Sequence, residues 1–336
     1  MSDNVLLSVR DLKKYFPVRT SFLSSLFKGE RLFVKAVDGV SFDIKRKEIF
    51  VLAGESGCGK TTTGKTILRL LEPTSGRIIF EGTDITKLPD KEFKPFRKYM
   101  QIIFQDPYES LNPKLDVYTT IAEPLRFHNL VSSHEEEEEK VYKTLEFVKL
   151  IPPEEFAYRY PHELSGGQRQ RVAIARAMVL NPKFIIADEP VSMLDVSIRA
   201  EILNFLLKLK YQLGISLVYI THDLAVGSYM GDRMAIMYLG KIVELGQARD
   251  VVNNPMHPYT QALIASVPTS DPTKRKRKVM LTGEPPSPIN PPSGCRFRTR
   301  CKYARDICRE REPELREIEK EHYVACHFAP VSLESM

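Results

Sequence analysis

The residues Gly54-Glu55-Ser56-Gly57-Cys58-Gly59-Lys60-Thr61 follow the spacing G-x-x-x-x-G-K-[ST], which suits a loop that wraps phosphate. Glycines let backbone N–H groups turn toward an anion, Lys60 brings a positive charge to the β- and γ-phosphates, and the Thr61 hydroxyl can ligate Mg²⁺. Ser56, Cys58 and Thr62 complete the candidate nucleotide contacts, and Cys58 reads most simply as a small residue filling the loop. A second group, Phe184-Ile185-Ile186-Ala187-Asp188-Glu189-Pro190, is an apolar run ending in two acids. At the carboxyl end of a buried strand, Asp188 can hold Mg²⁺ through water and Glu189 can polarise an attacking water. A third group, Leu164-Ser165-Gly166-Gly167-Gln168, stands at a helix start, where free N–H groups favour an anion.

These groups need rigid elements to aim them. EIFVLAG is short and apolar, as a buried parallel strand is, and it leads into the phosphate loop. A helix is expected to follow through TTTGKTILRLL, punctuated by Pro73 and Gly76. Upstream, LLSVRDL and AVDGVSFDI alternate like half-buried strands, and SFLSSLFKGERLF forms a loop between them. From about 85 to 180 the pattern is helical. Ser133 caps a helix whose acidic run reads as a solvated face, and QRQRVAIARAMVL stops at Asn181-Pro182. KFIIAD, SLVYITH, RMAIMYLG and KIVELG read as strands, the first three separated by helices, which predicts a mainly parallel α/β sheet. After about 270 a Pro-rich linker, GEPPSPINPPSG, leads to a small appended cysteine module.

With 43% hydrophobic and 27% charged residues among 336, the composition is that of an ordinary globular protein. No apolar run reaches the ~18–20 residues of a membrane span, and MSDNVLLSVR lacks the features of a secretory signal. The expectation is a cytoplasmic chain, with membrane attachment through partners left open. A net charge of +6 does not demand nucleic acid, and the basic run Lys274 to Lys278 reads as a solvated linker.

Together with the phosphate loop and the paired acids, LSGGQ resembles the signature of ATP-binding-cassette ATPases over roughly residues 5–250. The resemblance implies a P-loop core with an N-terminal antiparallel β part and a helical subdomain. It likens Gln105 in FQDP to the Q-loop, Asp195 in SMLD to the D-loop, His222 in ITHD to the switch histidine, and Tyr15 or Phe16 to the aromatic on adenine. It also implies catalytic roles for Glu189, Gln105 and His222, with Mg²⁺ held by Thr61, Gln105 and Asp188. Each ATP would sit between the phosphate loop of one cassette and Ser165 to Gln168 of another.

RLLEPTSGRIIFEG, the insertion before AVDGVSF, HPYTQAL at 257–263 and the cysteine-bearing end resemble the F-type ATPase subunit of oligopeptide and dipeptide permeases. That likeness implies a nucleotide-binding domain over 1–255, with its helical subdomain at about 106–180, and an extension over 256–336. The implied partners are a second, related ATPase subunit, two transmembrane permease subunits and, through the complex, an extracytoplasmic solute-binding protein. The place would be the cytoplasmic face of the membrane. Related machines carry oligosaccharides or nickel. A nucleic-acid cassette is the competing class, but the sequence holds one cassette and no heptad run.

Cys295, Cys301, Cys308 and Cys326 follow C-x5-C-x6-C-x17-C, without the close cysteine pair usual for structural zinc. Their number suits a four-iron cluster, and the family likeness implies [4Fe–4S]; zinc and free thiols remain the alternatives. His322 and His327, which flank Cys326, read as surface residues.

Overall fold

The computed structural model describes residues 4–18, 32–266, 283–284 and 286–330. Most of the 21–33 insertion and the basic run 274–278 lie outside the described residues. In chain order the elements begin β1 (Val5–Pro17), β2 (Phe33–Lys45), β3 (Ile49–Ala53), α1 (Lys60–Ile67), β4 (Ser75–Phe80), β5 (Thr83–Asp84), α2 (Asp90–Arg97) and β6 (Met100–Ile103). They continue α3 (Pro107–Ser110), α4 (Val117–Phe127), α5 (His134–Phe147), α6 (Pro153–Ala157), α7 (Gly166–Met178), β7 (Phe184–Asp188) and α8 (Val196–Leu213). The remainder are β8 (Ser216–Thr221), α9 (Leu224–Met230), β9 (Arg233–Tyr238), β10 (Lys241–Gln247), α10 (Ala248–Asn253), α11 (Pro258–Ser266), α12 (Ile307–Glu310), β11 (Arg316–Glu319) and β12 (His322–Val324).

Two units make up the chain. The first comprises Met1–Ile44, Phe50–Lys87 and Thr221–Met336. It holds an antiparallel sheet ordered β2-β1-β4-β5, whose inward residues Val40, Phe42 and Ile44 alternate along β2 as half-buried strands require. It also holds strands in the order β11-β12-β10-β9-β3. β3 is wholly buried and runs parallel to β9, while β9, β10, β12 and β11 pair antiparallel in turn. The cysteine-bearing end therefore adds two strands to a sheet of the phosphate-loop unit. Phe297 from this end is also buried, with ring centroids 5.3 Å from Tyr238 and 5.4 Å from Tyr259. A segment with few apolar residues thus buries an aromatic against two tyrosines, with Val324 and Ala325 also buried.

The expectation of a surface His322 is corrected. Its side chain is 4% exposed and its Nε2 lies 2.8 Å from Glu244 Oε1. Glu244 is completely buried, and its oxygens also accept the N–H groups of Met256 at 2.8 Å and His257 at 3.0 Å. A buried carboxylate needs such donors, so β12 supplies a histidine where an exposed position was expected. His327 fits the expectation better: it is half-buried, with Nε2 3.0 Å from the Arg311 carbonyl oxygen.

The second unit comprises Lys45–Ile49 and Leu88–Ile220. In it β8, β7 and β6 run parallel, with β7 and β8 buried along their length. β6 corrects the expectation of an all-helical stretch from 85 to 180, where four residues of MQII were too short a run to stand out. Helices α3 to α7 make up most of the rest of that stretch. Ser133 caps α5 as expected, its Oγ accepting the Glu136 N–H at 3.2 Å. The acidic run is not wholly solvated. Glu137 is buried and accepts from Arg126 Nε at 2.7 Å, Arg126 Nη2 at 2.6 Å and Tyr118 Oη at 3.0 Å.

His257, in the first unit, is buried and its Nδ1 accepts the Tyr259 N–H at 3.0 Å. Burial pulls its pKa from 6.5 to about 4, although Glu244 opposes the shift. Between those values the unfolded chain binds more protons than the folded one. The stability from a neutral His257 is therefore complete above pH 6.5 and is lost as pH falls toward 4. His257→Asn, which keeps an acceptor for Tyr259, should flatten the loss of stability across this window by up to about 1.4 kcal/mol per pH unit. Denaturant unfolding of both proteins at several pH values checks this, and parallel curves would defeat it.

Candidate functional site

β3 ends in the phosphate loop, and two of its glycines are obligatory. Gly54 has φ 148° and a Cβ there would lie 2.3 Å from the Met237 carbonyl oxygen; Gly59 has φ 108° and a Cβ there would lie 2.1 Å from the Ala36 carbonyl oxygen. The loop is thus pressed against β2 and β9 backbone, with Ser56 and Gly57 exposed. Lys60, buried at the start of α1, donates from Nζ to the carbonyl oxygens of Gly54 at 2.8 Å and Glu55 at 2.9 Å. Thr61 and Thr62 follow in the first turn of α1, whose N-terminal end favours anions. The helix stops at Ile67, four residues short of the expected end at Leu71, and Arg69 adopts φ 54° just beyond it. Cys58 is buried and burial raises its thiol pKa, as befits a filling residue.

Upstream, Tyr15 and Phe16 lie at the end of β1. The Tyr15 hydroxyl donates to Asp38, and Lys35 Nζ lies 5.7 Å from the Tyr15 ring centroid. Lys14 Nζ lies 5.0 Å from the ring of Phe16. Burial alone would raise the Asp38 carboxyl, but the Tyr15 hydroxyl and the Arg296 guanidinium outweigh it and hold it below the usual carboxylate range. His222 is exposed just beyond β8, and the next residue, Asp223, caps α9 through the N–H groups of Ala225 at 2.9 Å and Val226 at 3.1 Å.

In the second unit, Asp188 is the buried last residue of β7. Glu189 turns out of the strand at φ 45°, a left-handed conformation uncommon for a residue with a side chain. Its N–H donates to the Ile220 carbonyl at 3.0 Å and its Oε2 accepts from Gln105 Nε2 at 3.3 Å. Two expected catalytic residues 84 positions apart are therefore in direct contact. Ser165 caps α7 in a reciprocal box with Gln168: Ser165 N–H donates to Gln168 Oε1 at 2.9 Å, and Gln168 N–H to Ser165 Oγ at 3.3 Å. The signature is therefore the first turn of the helix, with Ser165 exposed. A Cβ on Gly167 would lie 2.6 Å from Ile198 Cγ2, which explains the glycine by packing between α7 and α8. Asp195 occupies the N-cap of α8 without a side-chain cap bond.

The four cysteines are all reduced. Burial raises three of the thiols: Cys295 is pushed up to about 12 and Cys301 to about 11, with the N–H groups of Phe297 and Tyr303 opposing, and Cys326 is raised likewise. They are gathered, but among the described residues no set of three or more His, Cys, Asp or Glu side chains converges to hold a metal ion. The donors fit a cluster in kind and number, not in convergence.

Sequence reasoning missed Asp38, Glu55, Arg296 and Arg300. Arg296 pairs with Asp38, and Arg300 holds both oxygens of Glu55 at 2.9 and 3.2 Å. With the partners 258 and 245 positions apart, no local spacing signals either pair.

The family described as ABC transporter matches residues 37–192, and that described as oligopeptide/dipeptide transporter, C-terminal region, matches 243–308. The dimeric ATP-binding cassette MJ0796 bound to ADP and Pi is 29% identical and covers 73% of this chain and 99% of its own, with a TM-score of 0.63. CbiO1 from Clostridium perfringens, part of the ABC transporter complex cbiONQ, is 28% identical over 74% of this chain and 90% of its own, with a TM-score of 0.61. This chain belongs to the ABC transporter family and is an ATP-hydrolysing transporter subunit. Within that family it is 48% identical over 330 residues to the oligopeptide transport ATP-binding protein AppF of Bacillus subtilis (strain 168), covering 97% of this chain and 98% of that one.

The backbone contacts of Gly59 lead to a direct expectation. Gly59→Ala should destabilise the fold by more than the about 1–2 kcal/mol that a left-handed conformation alone costs a residue with a side chain. Gly82→Ala, at φ 81° with open space around it, supplies the comparison. Equal losses in denaturant unfolding would show that the Ala36 contact carries no constraint.

Proposed function

We propose that this chain powers the import of oligopeptides or dipeptides from the cytoplasmic face of the membrane. The observation that carries the reading is the union of the cassette with an oligopeptide/dipeptide transporter C-terminal region, in a chain similar to AppF over nearly its whole length. Residues 1–255 serve as the nucleotide-binding domain, with a helical subdomain at about 106–180, and 256–336 as its extension. No helix among the described residues is long and apolar enough to cross a membrane. Permease subunits therefore provide the path, a solute-binding protein delivers the peptide, and nucleic acid plays no part.

Gly54 to Thr62 cradle the phosphates, Lys60 neutralises the β- and γ-oxygens, and Tyr15 or Phe16 takes the adenine. Thr61, Gln105 and Asp188 are the residues that would hold Mg²⁺, which would supply charge to offset that developing on the phosphates. Glu189 orients and deprotonates the attacking water, with Gln105 restraining its carboxylate at 3.3 Å. His222 assists at the γ-phosphate. Ser165 to Gln168 and Asp195 act on the ATP held by a second, related ATPase subunit, so one chain does not complete a site.

Glu189→Gln retains the shape but not the base. In the assembled complex it should bind ATP yet hydrolyse it at least about a hundredfold more slowly. Wild-type turnover would remove Glu189 from this role. Uptake of oligopeptides by proteoliposomes carrying the complex tests the substrate, and ATP-driven uptake of nickel without peptide uptake would overturn it.

We also propose that Cys295, Cys301, Cys308 and Cys326 carry a structural [4Fe–4S] cluster. The support is four free thiols in one short segment, Cys308 buried and the other three half-buried, with backbone N–H groups directed at Cys295, Cys301 and Cys326. Anaerobically purified protein should contain about four irons and four labile sulfides per chain. Zinc alone, or four titratable thiols without metal, would refute it.

A further inference from the structure

The phosphate loop is held from outside by the C-terminal extension. Glu55 is the second residue of that loop, and a carboxylate there faces the problem of sharing space with a polyanion. Arg300 grips it with a two-pronged contact at 2.9 and 3.2 Å, its own side chain only 5% exposed. The guanidinium lies 5.9 Å from the Tyr238 ring centroid. The Glu55 N–H is also engaged, donating to Tyr259 Oη at 2.9 Å from α11. Side chain and backbone of one loop residue are thus both fixed by residues after 255.

A parallel connection runs to the adenine-side candidate. Arg296 pairs with Asp38, is nearly buried, and also donates to the Leu239 carbonyl oxygen; Asp38 in turn accepts the Tyr15 hydroxyl. Arg296 directly follows Cys295 and Arg300 directly precedes Cys301. The two arginines that border these cysteines therefore end at the two parts of the proposed nucleotide site.

We infer that the extension is a positioning element for ATP, in which Arg300 neutralises and restrains Glu55 beside the triphosphate while Arg296 anchors Tyr15 through Asp38. This rests on residues 54–61 being the phosphate cradle. Nucleotide affinity is then set partly by residues outside the cassette, and disturbance of the cysteine segment reaches the phosphate loop through a single side chain.

ATP, ADP and AMP affinities of the full chain test the inference, with thermal unfolding recorded for each variant. Arg300→Ala should weaken ATP binding by at least about tenfold, as an uncompensated carboxylate beside a polyanion requires, and weaken AMP binding far less. Adding Glu55→Gln to Arg300→Ala should restore most of the loss by removing the repelling charge. Arg298→Ala, from the same segment but bonded to Ser293, should match the wild type. If Arg300→Ala does not fold, Arg300→Gln carries the same comparison. Unchanged ATP affinity, or an equal loss for all three nucleotides that Glu55→Gln does not relieve, overturns the inference. Wild-type protein that binds ATP no better than Lys60→Ala would instead overturn the phosphate-cradle reading.

Discussion

A carboxylate withdrawn from water must meet a cation or several donors, and this requirement organises the first unit. Asp38 on β2 and Glu244 on β10 are buried, and Glu55 in the phosphate loop is half-buried. Each finds its partner in the last part of the chain: Arg296, Arg300 and His322. Removing one member of such a pair leaves an uncompensated charge, which is far costlier than the pair's net contribution. The segment that carries Arg296, Arg300 and His322 consequently belongs to the structure of the phosphate-loop unit as firmly as that unit's own strands do.

The second unit solves a different problem. Its strands β7 and β8 are buried along their length, and Asp188 and Glu189 stand at the carboxyl end of β7. Gln105 reaches Glu189 from the segment after β6. The signature helix α7 begins with a reciprocal cap, which leaves a firm and exposed N-terminal turn at Ser165. Glycine at 167 allows α8 to approach that turn through Ile198.

Much of this was legible in the sequence where a constraint is local. The phosphate loop declares itself because glycines, a lysine and a hydroxyl must recur at fixed spacing, and β3 and β7 because buried parallel strands are uniformly apolar. The Ser133 cap was readable from a serine before an acidic first turn. Other features depend on neighbours distant in sequence. The burial of Glu137 follows from Arg126 and Tyr118 on α4, and that of His322 from Glu244 on β10. β6 was hidden by its brevity, and the early end of α1 by a backbone turn at Arg69 that no breaker residue announces. Glu55 and Arg300 each look like ordinary surface charges until the fold joins them.

The left-handed turn at Glu189 bears on how this fold responds to selection. A side chain held at φ 45° carries a backbone cost that glycine would not. A search for heat resistance alone would therefore be drawn to glycine at this position, and would discard the carboxylate proposed to activate water. Robustness and turnover are in conflict at one residue, and only a screen that also demands ATP consumption would retain it.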